Sequence, residues 1–445
     1  MRAIVVGGGN LGFVIAELLT KENYDVTVIE IDDDTADSLE EKLDVSVIRG
    51  NGASYAVLES AGVSEAKILL AVTASDELNM VACMLGKQAG AESTVARVSN
   101  PEYLERRITG SRALSGIDLM INPELVAARE IANLIEVPEA LDVMYYADHQ
   151  AMMLELPVSA HSPVKGIRLR QLNPESPHLI IAIAKNGKVV IPRGNDRIEE
   201  GDIFYLLAKT SEMTRIESLF GVQREEADKV MILGGGRTGE HLGRLLEGKD
   251  YAVRIIEKDM AKCEALSEEL RHTLVIHGDA TDLDLLRQEG AGKADMFISV
   301  TDDDKVNLLV SVIVKHLGAK RTIALVRRPD YIDIMEEVGI DIGVSQRAMT
   351  AGVISRFIKR SANLLTFTQL RDEEVNMLEF VVRPDSKITG RKLMDIHFPS
   401  DAIVGSIWRN GELSIAKGND RLAPEDKVTV FCLPRATDQV ISLLR

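Results

Sequence analysis

A glycine-rich signature occurs twice in this chain. The run Ile4-Val5-Val6-Gly7-Gly8-Gly9-Asn10-Leu11-Gly12 returns as Met231-Ile232-Leu233-Gly234-Gly235-Gly236-Arg237-Thr238-Gly239. Further matches keep nearly the same offset: Glu30 with Glu257, Gly50 with Gly278, Thr73 with Thr301, Asp76 with Asp304, Asn79 with Asn307, Pro101 with Pro329 and Tyr103 with Tyr331. A repeat that holds register this long restricts the chain to folds built twice. A second, separate repeat follows each copy, with Gly194-Asn195-Asp196-Arg197 echoed by Gly418-Asn419-Asp420-Arg421. Two kinds of segment therefore alternate, and a length of 445 residues already exceeds one hydrophobic core. The expected domains are 1–136, 137–222, 229–362 and 363–445. The polar stretch 223–228 lacks apolar periodicity and reads as the linker between halves.

In the first large segment, short β-branched runs at 4–6, 26–29, 45–48, 68–72 and 94–98 alternate with helical stretches such as 11–21. The copy repeats this at 230–233, 252–256, 273–276, 296–300 and 322–326. Such alternation builds βαβ units and a parallel sheet. The small segments instead alternate strands at 179–184, 188–191 and 203–208 with Gly, Asn and Pro turns, the pattern of small α+β modules. The fold class is thus α/β, with two Rossmann-type parallel-sheet domains alternating with two small α+β domains. Helical stretches at 123–136 and 348–360 join large to small. In the first, Leu125, Ala128, Ile131, Ala132 and Ile135 share one face, either a packed core face or a dimer-forming crossover helix.

Composition excludes several classes. A formal charge of -17 opposes nucleic acid and anionic lipid, so no nucleic-acid partner is expected. No apolar run approaches the roughly 20 residues of a membrane span. Met1 leads straight into a strand and a glycine loop, which predicts no signal peptide and a cytoplasmic location. Three scattered cysteines, Cys83, Cys263 and Cys432, suggest buried thiols rather than a disulfide framework or zinc site.

Gly7-x-Gly9-x-x-Gly12 opens a helix directly after a strand, and Glu30 ends the next strand, as a dinucleotide-binding fingerprint requires. Gly7 allows the tight turn, Gly9 lets a pyrophosphate approach the backbone, and Gly12 lets helix and strand pack closely. Gly234, Gly236, Gly239 and Glu257 repeat the set. Glu30 and Glu257 are placed to accept from ribose hydroxyls and to repel a 2′-phosphate, favouring NAD(H) or an adenosine phosphate over NADP. Lys258, beside Glu257, weakens that preference in the second half. The runs Thr73-Ala74-Ser75-Asp76 and Thr301-Asp302-Asp303-Asp304 follow the fourth strand of each sheet and read equally as helix caps and as ligand contacts. Arg97 stands within reach of a phosphate where the copy has Leu325. Arg237, in the place of Asn10, is either a phosphate contact or an uninvolved surface charge. Asp32-Asp33-Asp34 starts a helix more readily than it holds a metal, and no metal site is expected.

Together, Val5-Val6-Gly7-Gly8-Gly9-Asn10-Leu11-Gly12, Leu70-Ala71-Val72-Thr73-Ala74-Ser75-Asp76-Glu77-x-Asn79-Met80, Val95-Ala96-Arg97-Val98, their copies and the Gly-Asn-Asp turns resemble the tandem form of the RCK (KTN) family, regulators of potassium conductance. The resemblance covers the whole chain. It implies that the small segments are RCK C-terminal-type domains and that both Rossmann domains bind NAD(H) and/or ATP/ADP as regulatory ligands. It also implies a homo-oligomer, dimer or tetramer, that forms a gating ring on a membrane potassium-translocating subunit of the TrkH/KtrB type. The chain would then sit on the inner face of the cell membrane through that partner. Carried over by position, the nucleotide contacts are Gly7, Gly8, Gly9, Asn10, Leu11, Glu30, Thr73, Ala74 and Arg97, with Gly234, Gly235, Gly236, Arg237, Thr238, Glu257 and Thr301 in the second half.

The expected function is a cytosolic nucleotide-binding regulatory subunit that gates a potassium uptake channel or transporter of the Trk/Ktr type. It is not expected to be an enzyme: the histidines show no ligand spacing, and no nucleophile elbow or redox dithiol is present. The alternative is an NAD-dependent oxidoreductase with tandem Rossmann domains, since one fold serves many functions.

Overall fold

Continuous Val/Ile runs such as Ala3-Ile4-Val5-Val6 suit strands covered on both faces, and all four of these residues are fully buried. In the computed structural model the backbone is described for all residues except 105–115, 138–139, 148, 173–176, 186, 222–227, 328–330, 359–363, 371–374, 387 and 445. The side chains of 104, 333, 336, 356 and 364–370 also lie outside the description. The linker at 223–228, apart from Asp228, therefore falls outside the described residues. So do Pro329 of the repeat, the expected domain limits at 222, 362 and 363, and the end of the helix expected over 348–360.

The first sheet contains β1 (Arg2–Val6), β2 (Asp25–Glu30), β3 (Ser46–Arg49), β4 (Ala66–Ala71), β5 (Ser93–Arg97) and β6 (Leu119–Ile121). All pairings are parallel, in the order β3-β2-β1-β4-β5-β6. The order reverses between β1 and β4, which opens a crevice at their carboxyl ends. A small antiparallel sheet follows, with β7 (Asp142–Tyr146), β8 (Ala151–Pro157), β9 (His178–Lys185), β10 (Lys188–Val190) and β11 (Ile203–Lys209) in the order β10-β9-β11-β8-β7.

The second half repeats both topologies. Strands β12 (Lys229–Leu233), β13 (Ala252–Glu257), β14 (Leu274–His277), β15 (Met296–Ser299), β16 (Arg321–Val326) and β17 (Ile342–Ser345) form the parallel sheet β14-β13-β12-β15-β16-β17. Strands β18 (Leu364–Leu370), β19 (Val375–Val381), β20 (Ala402–Arg409), β21 (Glu412–Ile415) and β22 (Lys427–Cys432) form the antiparallel sheet β18-β19-β22-β20-β21. The expected strands are present, and each parallel sheet gains a sixth, β6 or β17, too short to announce itself by pattern.

The chain divides into two compact units, and the division cuts across the repeat. One unit is Met1–Arg129 with Asp228–Ile354, so it holds both parallel sheets. The other is Glu130–Ala227 with Ser355–Arg445, and holds both antiparallel sheets. In the latter, Tyr146, Met153, Ile181 and Leu207 share one core with Val375, Met377, Leu413 and Phe431. Tyr146 Oη donates to Ser406 Oγ at 3.3 Å within it. Gly405 is required there, because a Cβ would lie 2.4 Å from the Phe431 ring.

The second sequence repeat proves to be a turn. Asp196 accepts from the Arg193 N–H at 2.6 Å and Asp420 from the Lys417 N–H at 2.8 Å, so each aspartate closes its own loop. The helix Pro123–Glu136 buries Ala128, Ile131, Ala132 and Ile135, four of the five residues expected on its apolar face. All three cysteines are free and buried, and burial pushes the Cys83 thiol up to about 12.

Candidate functional site

Strand β1 runs into Gly7, whose φ of +96° an L side chain rarely adopts. The chain then turns through extended Gly9 into the helix Asn10–Lys21. No side chain caps this helix, so its first N–H groups stay available at the end where the backbone dipole favours an anion. The three glycines differ in what they permit. A Cβ at Gly12 would lie 1.9 Å from the Gly7 carbonyl oxygen, so the helix packs against the turn only because Gly12 has none. A Cβ at Gly9 would meet nothing within 4 Å, so this glycine borders open space. Gly234 (φ +106°), Gly236 and Gly239 repeat all three conditions, with the same 1.9 Å approach of Gly239 to Gly234. The geometry fits the backbone cradle a pyrophosphate needs.

The acidic residue after the second strand is tied into this cradle. Glu30 accepts from the Gly8 N–H at 2.6 Å and from the N–H groups of Ile31 and Asp32 at 2.7 and 3.0 Å. Glu257 accepts from Gly235 at 2.6 Å and Asp259 at 2.9 Å, and is buried. Each carboxylate therefore fixes the glycine loop as well as facing the cavity it lines.

Across the crevice the loops after β4 and β15 are held by asparagines. Asn79, fully buried, accepts at Oδ1 from the Thr73 N–H (2.9 Å) and hydroxyl (2.7 Å). Its Nδ2 donates to the carbonyls of Thr73 (3.1 Å) and Arg97 (2.9 Å), joining the ends of β4 and β5. Asn307 does the same with Thr301 and Leu325. Capping falls to Ser75 and Asp303, while Thr73 and Thr301 are clamped by the asparagines and do not cap. Asp76 accepts from the N–H groups of Ser99 and Asn100, and so positions the loop after β5.

Two cavities result, of about 810 and 640 Å³. Gly7, Gly9, Asn10, Leu11, Glu30, Thr73, Ala74 and Arg97 line the first, while Gly8 and Gly12 stand behind it. Gly234, Gly235, Gly236, Arg237, Thr238, Glu257 and Thr301 line the second, with Gly239 behind. Arg97 is partly spoken for: it donates to the Thr73 carbonyl at 3.2 Å and pairs with Glu124 at 3.4 Å. Leu325, its counterpart, is buried and apolar. Arg237 is exposed at the mouth of its cavity. Asp32 caps the helix Asp33–Lys42 by accepting from Thr35, which holds its carboxyl below the usual range. Among the described residues no cluster of metal-ligating side chains occurs.

Sequence reasoning missed the wall that the two cavities share. Glu124, Asp302, Arg327 and Gln346 line both. Arg347 of the second half also lines the first cavity. Glu124 and Arg347 stand at the starts of corresponding helices, Pro123–Glu136 and Gln346–Ile358, and no local pattern announces that these starts face the other repeat.

Comparison with known proteins agrees with this architecture. The TrkA-N domain model matches residues 3–123 and 230–346, and the TrkA-C domain model matches 153–221 and 377–445. A Trk system potassium uptake protein TrkA homolog 1 of Methanosarcina mazei is 35% identical over 99% of this chain and 99% of its own length. A TrkA homolog of Archaeoglobus fulgidus is 35% identical over 97% of each chain. Among solved structures, the GsuK channel bound to NAD superposes with a TM-score of 0.66 at 18% identity, covering 100% of this chain and 78% of that one, a likeness of fold. No helix among the described residues is long and apolar enough to cross a membrane.

Proposed function

The chain belongs to the TrkA family, whose N-type and C-type domains it carries twice each, and from that premise we propose that it is a nucleotide-binding regulatory subunit of a potassium uptake system. The observation that carries the reading is the duplicated cradle: an uncapped helix start beside a glycine that borders open space, with an acidic residue behind it. In this reading the N–H groups of Gly9, Asn10 and Leu11, and of Gly236, Arg237 and Thr238, hold the phosphates of NAD(H) or of ATP/ADP. Glu30 and Glu257 face the ribose, and Thr73, Ala74, Arg97 and Thr301 complete the walls. A nucleotide that binds one arrangement of the two parallel-sheet domains better than another shifts the protein toward it, and an attached potassium-translocating membrane subunit reads the shift. The chain is then a cytoplasmic homo-oligomer held at the membrane by that partner, with domains at 1–136, 137–222, 229–362 and 363–445.

An oxidoreductase reading needs a proton donor or acceptor beside a nicotinamide. Neither cavity is lined by a histidine, the commonest proton carrier, or by a tyrosine among the described residues, although carboxylates line both and lysines the second. Calorimetric titration of the full chain with NADH, ATP and ADP, paired with potassium flux through the reconstituted membrane partner, tests the reading. Absence of binding, or flux indifferent to nucleotide, rejects it. Steady oxidation of NADH by the isolated protein on addition of a carbonyl substrate establishes the enzyme instead.

A further inference from the structure

The two cavities share a design and differ sharply in charge where the ribose would lie. After Glu30 the chain reads Ile31-Asp32-Asp33-Asp34-Thr35, three carboxylates and no cation. After Glu257 it reads Lys258-Asp259-Met260-Ala261-Lys262, two lysines and one carboxylate. Ile31 and Thr35 line the first cavity, and Lys258 and Lys262 occupy the same places in the second. Both lysines are exposed, and neither ammonium group makes a hydrogen bond or an ion pair among the described residues. In the first half Arg49 pairs with Asp33, Asp37 and Glu40, so the charge of that cation is already shared among three carboxylates.

The acid itself is more deeply buried in the second half: Glu257 is 7% exposed, whereas Glu30 is half-buried. Both acids commit Oε2 to the glycine loop and Oε1 to an N–H just after the strand, so what separates the two edges is the pair Lys258 and Lys262. Asp279, which lines the same cavity as Lys258, is held below the usual carboxylate range chiefly by the Thr281 N–H and hydroxyl, with the charge of Lys258 a lesser cause. In dinucleotide-binding folds an acid at this position receives the ribose 2′-hydroxyl, or a cation nearby accommodates a 2′-phosphate; here two lysines stand beside the acid and offset its repulsion of that phosphate.

We propose that the second cavity selects an adenine nucleotide phosphorylated at the ribose 2′ position, of the NADP(H) type, while the first selects the unphosphorylated ribose. The inference rests on the reading of both cavities as nucleotide sites. Lys258 and Lys262 supply two point charges to a dianionic group at the ribose edge, and Gly236 leaves the pyrophosphate cradle open behind it.

The matched probes are 2′,5′-ADP and 5′-AMP, which differ by that one phosphate. Titrated into the full chain, 2′,5′-ADP is expected to bind about tenfold more tightly than 5′-AMP, with the advantage shrinking as salt is raised. The double substitution Lys258→Ile, Lys262→Thr, which installs the first-half residues on an exposed surface, is expected to bring the ratio of the two affinities close to one, whatever it does to 5′-AMP itself. NADPH and NADH should follow the same split. If 5′-AMP and NADH bind but the extra phosphate gives no gain, or the double variant leaves the gain intact, this inference falls and the nucleotide-binding reading stands. If none of the four binds, this inference falls, and if ATP and ADP fail to bind as well, the nucleotide-binding reading falls with it.

Discussion

Gly9 and Gly12 are three positions apart and carry different demands, so they separate folding from binding. Gly12→Ala, or Gly239→Ala, forces a Cβ to within 1.9 Å of a backbone carbonyl. Overpacking of this kind costs about 1–3 kcal/mol, visible as a lowered denaturation midpoint. Gly9→Ala adds a methyl group to open space, and its φ of -61° suits alanine. It should leave the midpoint nearly unchanged and weaken nucleotide binding, because the methyl group stands in the cradle. Equal stability losses at both glycines would refute the assignment. Asn79 is a second residue-scale case: Asn79→Ala leaves the Thr73 N–H and the Arg97 carbonyl short of partners at a partly buried site, while the Thr73 carbonyl keeps only the Arg97 guanidinium. A loss of about 2–4 kcal/mol is expected, read by chemical denaturation. Residues of this kind were legible in the sequence to different degrees. The glycine loops and Glu30 stood out through spacing alone. Asn79 appeared only as a repeated letter, since its four bonds join segments that periodicity does not connect.

At the scale of elements, the corresponding helices Asn10–Lys21 and Arg237–Leu246 have diverged most usefully at His241, where the first half has Val14. His241 is 7% exposed and its Nε2 has no hydrogen-bond partner. Burial lowers its pKa below the ordinary 6.5, with Arg244 and Arg237 adding to the shift and Glu240 and Glu124 opposing it. The neutral ring is therefore the form the fold prefers. Its contribution to stability is complete above the unfolded value near 6.5 and is lost as pH falls through the depressed folded value. Thermal midpoints should decline between pH 7 and 5, and His241→Val should flatten that decline. A variant whose pH profile overlays the parent would show that the ring does not titrate on unfolding. Strands were the most legible elements, because β-branched runs and βαβ alternation are local signals. The sixth strands β6 and β17 were not, since three or four residues carry too little pattern to be separated from a loop.

The whole molecule is organised crosswise to its own duplication. The sequence invites division at its midpoint, yet the core of the antiparallel unit is filled from both halves. Produced alone, either half would expose the face that Tyr146, Leu207, Val375 or Phe431 normally covers. Co-expressed halves should therefore co-purify as one complex, and a lone half should self-associate or precipitate. A monodisperse monomeric half in light scattering would contradict the shared core. The wall between the nucleotide cavities was equally hidden from the sequence, because Glu124, Asp302, Arg327 and Gln346 meet only once the chain is folded. That wall makes the two cavities a single thermodynamic object. Any ligand that reorders Glu124 or Arg327 from one side alters the surface offered to the other, and free energy around a closed cycle allows no direction of preference. The factor by which a first-site nucleotide changes second-site affinity must equal the factor measured in the opposite order. A two-ligand titration should return one coupling constant from either starting point, and a constant of unity would mean that the shared side chains stand still.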